Sequence, residues 1–239
     1  MKLLIDVGNS RLKWAETESG GLIGTAAIEH AGDPARAVEA MPAMQPAAIW
    51  VANVTGAALG EPLAAALEHK FGVQPRFAAV EPERAGLRVA YAEPQRLGVD
   101  RWLALLAAWT QTRKAVCVAS AGTALTFDAV DRAGQHLGGI IAPGLITMQQ
   151  AVLGATRFEA AGPDAEYSQG LGDDTEACVR QGALHAGAGA LDRLATGYGE
   201  DASLLLTGGD AEQLLPHLAD RWSLRPNLVL EGLLVLASS

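Results

Sequence analysis

The sequence predicts an α/β protein made of two halves of the same design, and three observations carry that prediction. Hydrophobic strands alternate with helical segments along the chain. The strand that opens the chain and the one at Val116 both run into a small glycine turn and a returning strand, so the second half begins as the first does. Of the 239 residues, 49% are hydrophobic and 19% charged, which is enough apolar side chain to bury a sizeable core.

Lys2 to Asp6 is an apolar run that enters the turn Asp6-Val7-Gly8-Asn9-Ser10, the mark of a buried strand ending tightly. Arg11 to Glu16 alternates apolar and polar residues, as the second arm of a hairpin does. Ala47 to Val54 is a further buried strand, and Pro62 to Phe71 has the Leu/Ala spacing of an amphipathic helix. From Asp100, the residues Trp102 to Trp109 are apolar on nearly every face, which predicts a deeply buried helix ending near Lys114. A second unit starts there: strand Val116 to Ala119, turn Ala121-Gly122-Thr123, return strand Leu125 to Asp128. Aligning Leu4 to Ser10 with Val118 to Ala124 superposes strand, small turn and glycine. Gly138 to Gly144 is a strand punctuated by glycine, helices follow at Leu145 to Leu153 and Asp174 to Thr196, and Ser203 to Thr207 is a strand closed by Gly208-Gly209-Asp210. No low-complexity linker separates the halves, so the repeat alone divides the chain into residues 1–113 and 114–239.

The charge sum is −9. A protein that grips a nucleic-acid backbone or an anionic membrane has the opposite balance, so neither is an expected partner. No run near the amino terminus suits a signal peptide and none approaches the ~18–20 apolar residues of a membrane span, so the chain reads as cytoplasmic. Cys117 and Cys178 lie apart, without metal-ligand spacing, as reduced thiols do. His30, His69, His136, His185 and His217 are scattered and belong to no hydrolase or zinc motif.

Each of the three glycine turns places backbone N–H groups at the mouth of a sheet, where they can meet an anion. Phosphoryl transfer asks for little else: phosphate held, its charge neutralised by a metal, an acceptor oxygen in line. Asp6 suits Mg²⁺, which prefers one or two carboxylates with water and phosphate oxygens, and Asp128 is the next candidate carboxylate. Asn9, Ser10 and the turn's N–H groups suit phosphate oxygens; Lys13 is an added cation or an exposed strand lysine. Asp100, just ahead of an apolar helix, reads as an N-cap, and a capping carboxylate stays ionised and able to orient a hydroxyl. Arg101 is a planar fork for a carboxylate or phosphate, or a helix-surface arginine.

The order of the turns resembles the actin, sugar kinase and Hsp70 ATPase superfamily, which implies two duplicated ribonuclease H-like domains with ATP in the cleft between them. Four blocks narrow it: Asp6 to Lys13, Gly98-Val99-Asp100-Arg101, Gly122 to Asp128 and Gly138 to Gly144 together resemble type III pantothenate kinase. That resemblance implies ATP-dependent phosphorylation of pantothenate to 4'-phosphopantothenate, the first step of coenzyme A biosynthesis, in a cytoplasmic homodimer. Apolar segments at 102–109 and 178–195 suit a dimer interface or, equally, a core. The resemblance also assigns Asp6, Val7, Gly8, Asn9, Ser10, Arg11, Leu12, Lys13 and Thr123 to ATP. It makes Asp100 the proton acceptor and gives Tyr91, Gly98, Val99, Asp100, Arg101 and Thr175 to pantothenate, although Asp174-Thr175-Glu176 is also how a helix starts. One position departs from the family: Ser120 stands where an aspartate linked to a monovalent cation is common, so dependence on potassium or ammonium is not expected. A regulatory nucleotide-binding protein of the same fold and a kinase for another small hydroxy acid stay open at this point.

Overall fold

The computed structural model describes residues 1–155 and 166–238, which fold as two compact units, Met1–Gln111 together with Asn227–Ser239, and Thr112–Pro226.

In the first unit β1 (Lys2–Val7) lies at the centre of a five-stranded sheet. It pairs antiparallel with β2 (Arg11–Glu18), which pairs antiparallel with β3 (Gly21–Glu29); on its other side run β4 (Ala48–Asn53) and β5 (Pro75–Phe77), both parallel. Because side chains alternate along a strand, Leu3, Ile5 and Val7 share one face. They pack with Ile49 and Val51 of β4, Val38 of α1 (Pro34–Glu39), and Leu63 and Leu67 of α2 (Ala57–Phe71). Each such side chain contributes about 1.5–3 kcal/mol by leaving water. The opposite face of β1 carries Leu4 and Asp6. The helix α2 begins five residues before the expected Pro62, which it tolerates inside the helix. A small hairpin, β6 (Glu83–Arg84) and β7 (Leu87–Arg88), precedes α3 (Val99–Thr112). Arg101 through Trp109 are all buried in α3, so this segment is core and is not free to form a dimer face.

The second unit repeats the first strand for strand. β8 (Val116–Ala121) is central, β9 (Ala124–Val130) and β10 (His136–Pro143) follow antiparallel, and β11 (Ser203–Thr207) and β12 (Trp222–Leu224) are parallel on the far side. Two sheets with the same order and the same strand directions are what a duplicated half-molecule gives. The helices α4 (Leu145–Leu153) and α5 (Thr175–Ala195) cover one face; Leu125, Phe127, Leu145, Leu184 and Leu191 form its core. A short α6 (Ala211–Leu214) follows β11.

The chain then returns to the first unit through α7 (Leu228–Ala237). A side chain on Gly232 would sit 2.2 Å from the carbonyl oxygen of Leu103, so glycine lets α7 lie directly on the α3 backbone. Gln111 Nε2 donates to Glu231 Oε2 at 2.7 Å beside that crossing. The expected second half, 114–239, therefore differs from the observed unit by its last helix. Contacts this distant in sequence leave no mark in a strand repeat.

Candidate active site

The first hairpin carries the charge. Asp6 and Lys13 are directly opposed across β1 and β2, which puts both side chains on the face away from the Leu3 and Ile5 core. Gly8 N–H donates to Arg11 O at 3.0 Å and closes the turn, leaving Asn9 and Ser10 exposed. Val7 and Leu12 are buried and serve as scaffold, and the Arg11 guanidinium reaches Glu29 at 3.3 Å in an exposed pair of small energetic worth. Burial pushes the Asp6 carboxyl up to about 7, the charge of Asp100 adds to the rise, and Lys13 opposes it.

The other carboxylate comes from the start of α3. Trp102 N–H donates to Gly98 O at 3.0 Å, so Asp100 lies inside the first turn and is not the N-cap its sequence position suggested. Its Oδ1 accepts from Arg101 N–H at 2.8 Å, and the helix's amino end favours its negative charge. A Cβ on Gly98 would stand 2.7 Å from that Oδ1, so only glycine leaves the carboxylate where it is. Arg101 is 8% exposed and donates from a terminal guanidinium nitrogen to the Tyr91 hydroxyl at 3.4 Å. Asp6, Lys13, Tyr91, Gly98, Val99, Asp100 and Arg101 thus all belong to the first unit.

In the second unit Gly122 N–H donates to Ala124 O at 3.1 Å, closing a shorter turn at Gly122-Thr123. Thr123 O accepts from Gly144 N–H at 3.0 Å and from the Thr147 hydroxyl at 2.8 Å. A Cβ on Gly144 would fall 1.7 Å from Gly122 O, and one on Gly208, whose φ is +105°, 2.1 Å from Ala121 O. The glycines ending β10 and β11 therefore press backbone against the β8–β9 turn. Ser120 takes the place in β8 that Asp6 takes in β1, two residues before the glycine, and it is flanked by Thr126 and Thr207. Asp128 is buried on β9 and accepts from the ring of His136 at 3.0 Å, a contact that ties β9 to β10. Thr175 is the first residue of α5, capped by Asp174, which accepts from Ala177 N–H at 2.7 Å. It lines a cavity of about 850 Å³ with Pro143, Met148, Asp173 and Cys178.

The family model for type III pantothenate kinase matches residues 2–197. The chain belongs to this family. A type III pantothenate kinase of Nitrosococcus oceani is 35% identical over 246 residues, covering 98% of this chain and 92% of that one. Among solved structures, a Campylobacter jejuni protein described as a Baf family transcriptional activator aligns over 99% of this chain and 98% of the other, at 21% identity and a TM-score of 0.62. A ROK family glucokinase of Streptomyces griseus, in complex with glucose and AMPPNP, aligns over 99% and 98% at 13% identity and a TM-score of 0.50. At such identities the likeness speaks for fold alone, and the fold is that of the actin-like ATPases and sugar kinases.

A type III pantothenate kinase is a phosphotransferase, and kinases use ATP with a divalent metal. The residues of the first unit fit such an ion. A buried carboxylate whose proton affinity is raised further by a second carboxylate is costly without a cation, and Asp6, facing the charge of Asp100, is such a group. Among the described residues no group of three or more His, Cys, Asp or Glu is placed to hold a metal ion. Among the described residues no helix is long and apolar enough to cross a membrane. Both cysteines are free; burial pushes the Cys117 thiol up to about 12, which leaves it unreactive. Sequence reading missed Met148 and Asp173, which join the Thr175 cavity only through folding. Nor did it single out His30, which the fold sets beside the first glycine turn.

Proposed function

We propose that the chain transfers the γ-phosphate of ATP to the primary hydroxyl of pantothenate, forming 4'-phosphopantothenate, with Asp100 taking the hydroxyl proton. The observation that carries this reading is the charge of Asp100 acting on the buried carboxyl of Asp6: one carboxylate for a metal, one for a proton. Asp6 would hold Mg²⁺, whose charge, when bound, offsets that of the phosphates. The N–H groups of Asn9 and Ser10, with Lys13 behind them, offer the donors a phosphate needs. Gly98 leaves room for the Asp100 carboxylate, and the amino end of α3 favours its negative charge. Arg101, fixed by Tyr91, presents a planar fork suited to the pantothenate carboxylate. In the second unit Thr123 is proposed for ATP and Thr175 for pantothenate. With a hydroxyl at Ser120 in place of a carboxylate, no monovalent cation is required.

The protein is further proposed to work in the cytoplasm as a homodimer. Exposed Ile141, Ile146, Val152 and Leu171 in the second unit are the apolar groups a second copy would cover. A regulatory protein without kinase activity would not need Tyr91, Gly98, Asp100 and Arg101 gathered at one helix end.

Asp100→Asn tests the assignment. The amide keeps the shape and cannot accept the proton, so turnover is expected to fall by roughly 10²–10⁴ while ATP binding stays nearly intact. Coupled ATP-consumption rates with and without pantothenate measure the first, calorimetry the second. Wild-type turnover in a folded variant would show that Asp100 takes no proton.

A further inference from the structure

We infer that His30 is a positioning residue for the first glycine turn, holding it so that the Asn9 N–H faces outward toward a phosphate oxygen; the inference rests on reading that turn as a phosphate loop. His30 follows β3 directly and is 5% exposed. Its Nε2 lies 2.9 Å from Gly8 O, and Gly32 N–H donates to its Nδ1 at 3.1 Å. A ring nitrogen that accepts carries no proton, so Nδ1 is bare and Nε2–H donates to the Gly8 carbonyl. The backbone N–H of His30 also donates to Ser10 O at 3.1 Å. Two carbonyls of the turn are thereby drawn to one residue that stands 22 positions beyond Gly8.

A trans peptide is planar, so the Gly8 carbonyl and the Asn9 N–H point in opposite directions. With the carbonyl fixed on the imidazole, the N–H turns away from it, on the exposed side of the turn. The segment carrying His30 is shaped to deliver the ring: Ala31 and Gly32 are left-handed, at φ +47° and +87°, and Asp33 N–H donates to His30 O at 2.7 Å. An alanine adopts that backbone at a cost. That compact turn is what brings Gly32 N–H to Nδ1.

The test compares His30→Met with His30→Gln in the full-length enzyme. Glutamine keeps an N–H near the place of Nε2; methionine fills volume and has none. H30M is expected to weaken binding of a non-hydrolysable ATP analogue and to raise the ATP KM about tenfold, the scale of one weakened charge-assisted hydrogen bond. Its kcat and pantothenate KM should stay within about threefold, the split expected when only ATP binding is lost. H30Q should recover most of the ATP affinity. Equal losses in H30M and H30Q, or an equal rise in both KM values, would show a packing role and overturn the inference. Should H30M fail to fold, His30→Asn serves: its side chain can still accept from Gly32 but is too short for Gly8, and wild-type analogue affinity in it would likewise overturn the inference. A wild-type protein that binds no analogue overturns the phosphate-loop reading and the His30 assignment with it; H30M that binds as tightly as wild type overturns His30 alone.

Discussion

The two hairpins β1–β2 and β8–β9 have the same strand directions, the same place in their sheets and a glycine at the same point, yet they do different work. The first sets an aspartate two residues before its glycine and a lysine across from it. The second has Ser120 there, and its neighbours are threonines. What the second has instead is closeness: Gly144 and Gly208 bring two other strand ends to within backbone contact of the turn. The duplicated scaffold carries charge in one copy and closely packed backbone in the other. Replacing the charge and crowding the backbone should therefore give different signatures.

Within the two hairpins the largest effect is expected from Asp6→Asn. Loss of the carboxylate should lower kcat/KM for MgATP by about 100-fold or more, since the ion loses its charged protein ligand. Stability should move the other way. Asp6 has its carboxyl raised from 3.8 to about 7 in the folded chain. Between those values the folded protein keeps a proton that the unfolded chain has released, so stability falls as pH rises from about 4 to 7, and the full penalty stands above that window. Without ligand at pH 8 the variant should melt several degrees above wild type, and near pH 3.5 the two should coincide. With MgATP the order should reverse. A variant less stable than wild type at pH 8 would mean that the Asp6 charge is already offset in the free protein. The same titration predicts that wild-type affinity for MgATP improves as pH rises through about 7.

Gly144→Ala probes the second turn. The added methyl meets the carbonyl of Gly122, which is backbone and gives way only by moving the turn. Overpacking of this kind costs about 1–3 kcal/mol, a fall of several degrees in Tm for a chain of this size. ATP affinity should fall about tenfold with little change in the pH profile. A shifted pH profile would mean that the second hairpin also acts through charge.

These hairpins were the most legible part of the sequence, because a buried strand, a glycine turn and a returning strand are all local. β3 was not legible: its residues are mostly exposed, so Gly21–Glu29 shows no apolar alternation. Asp6 stands out as a carboxylate at a strand end, whereas the room that Gly98 leaves for the Asp100 carboxylate shows only in the fold. Asp128 read as a metal candidate from its residue type, and only the fold shows His136 lying against it. The return of α7 depends on Gly232 meeting Leu103, residues more than a hundred positions apart, and no periodicity reports that.

The smallest expected effect concerns Ser120, and it tests the comparison most directly because the substitution makes the second hairpin resemble the first. A potassium ion beside a phosphate needs several oxygen ligands to replace its water, and a carboxylate among them offsets the cost of dehydration. Ser120 lies in line with Thr207 on β11 and Thr126 on β9, so the site offers neutral oxygens only at these three positions. Wild-type activity in sodium or Tris buffer is therefore expected to lie within a few-fold of that in potassium at fixed ionic strength, since screening alone alters the binding of an anionic nucleotide. Ser120→Asp should raise dependence on potassium and, without it, weaken ATP binding through like charge. If wild type is nearly inactive until potassium or ammonium is added, neutral oxygens suffice to hold the ion, and the division of charge between the two hairpins is not what separates them.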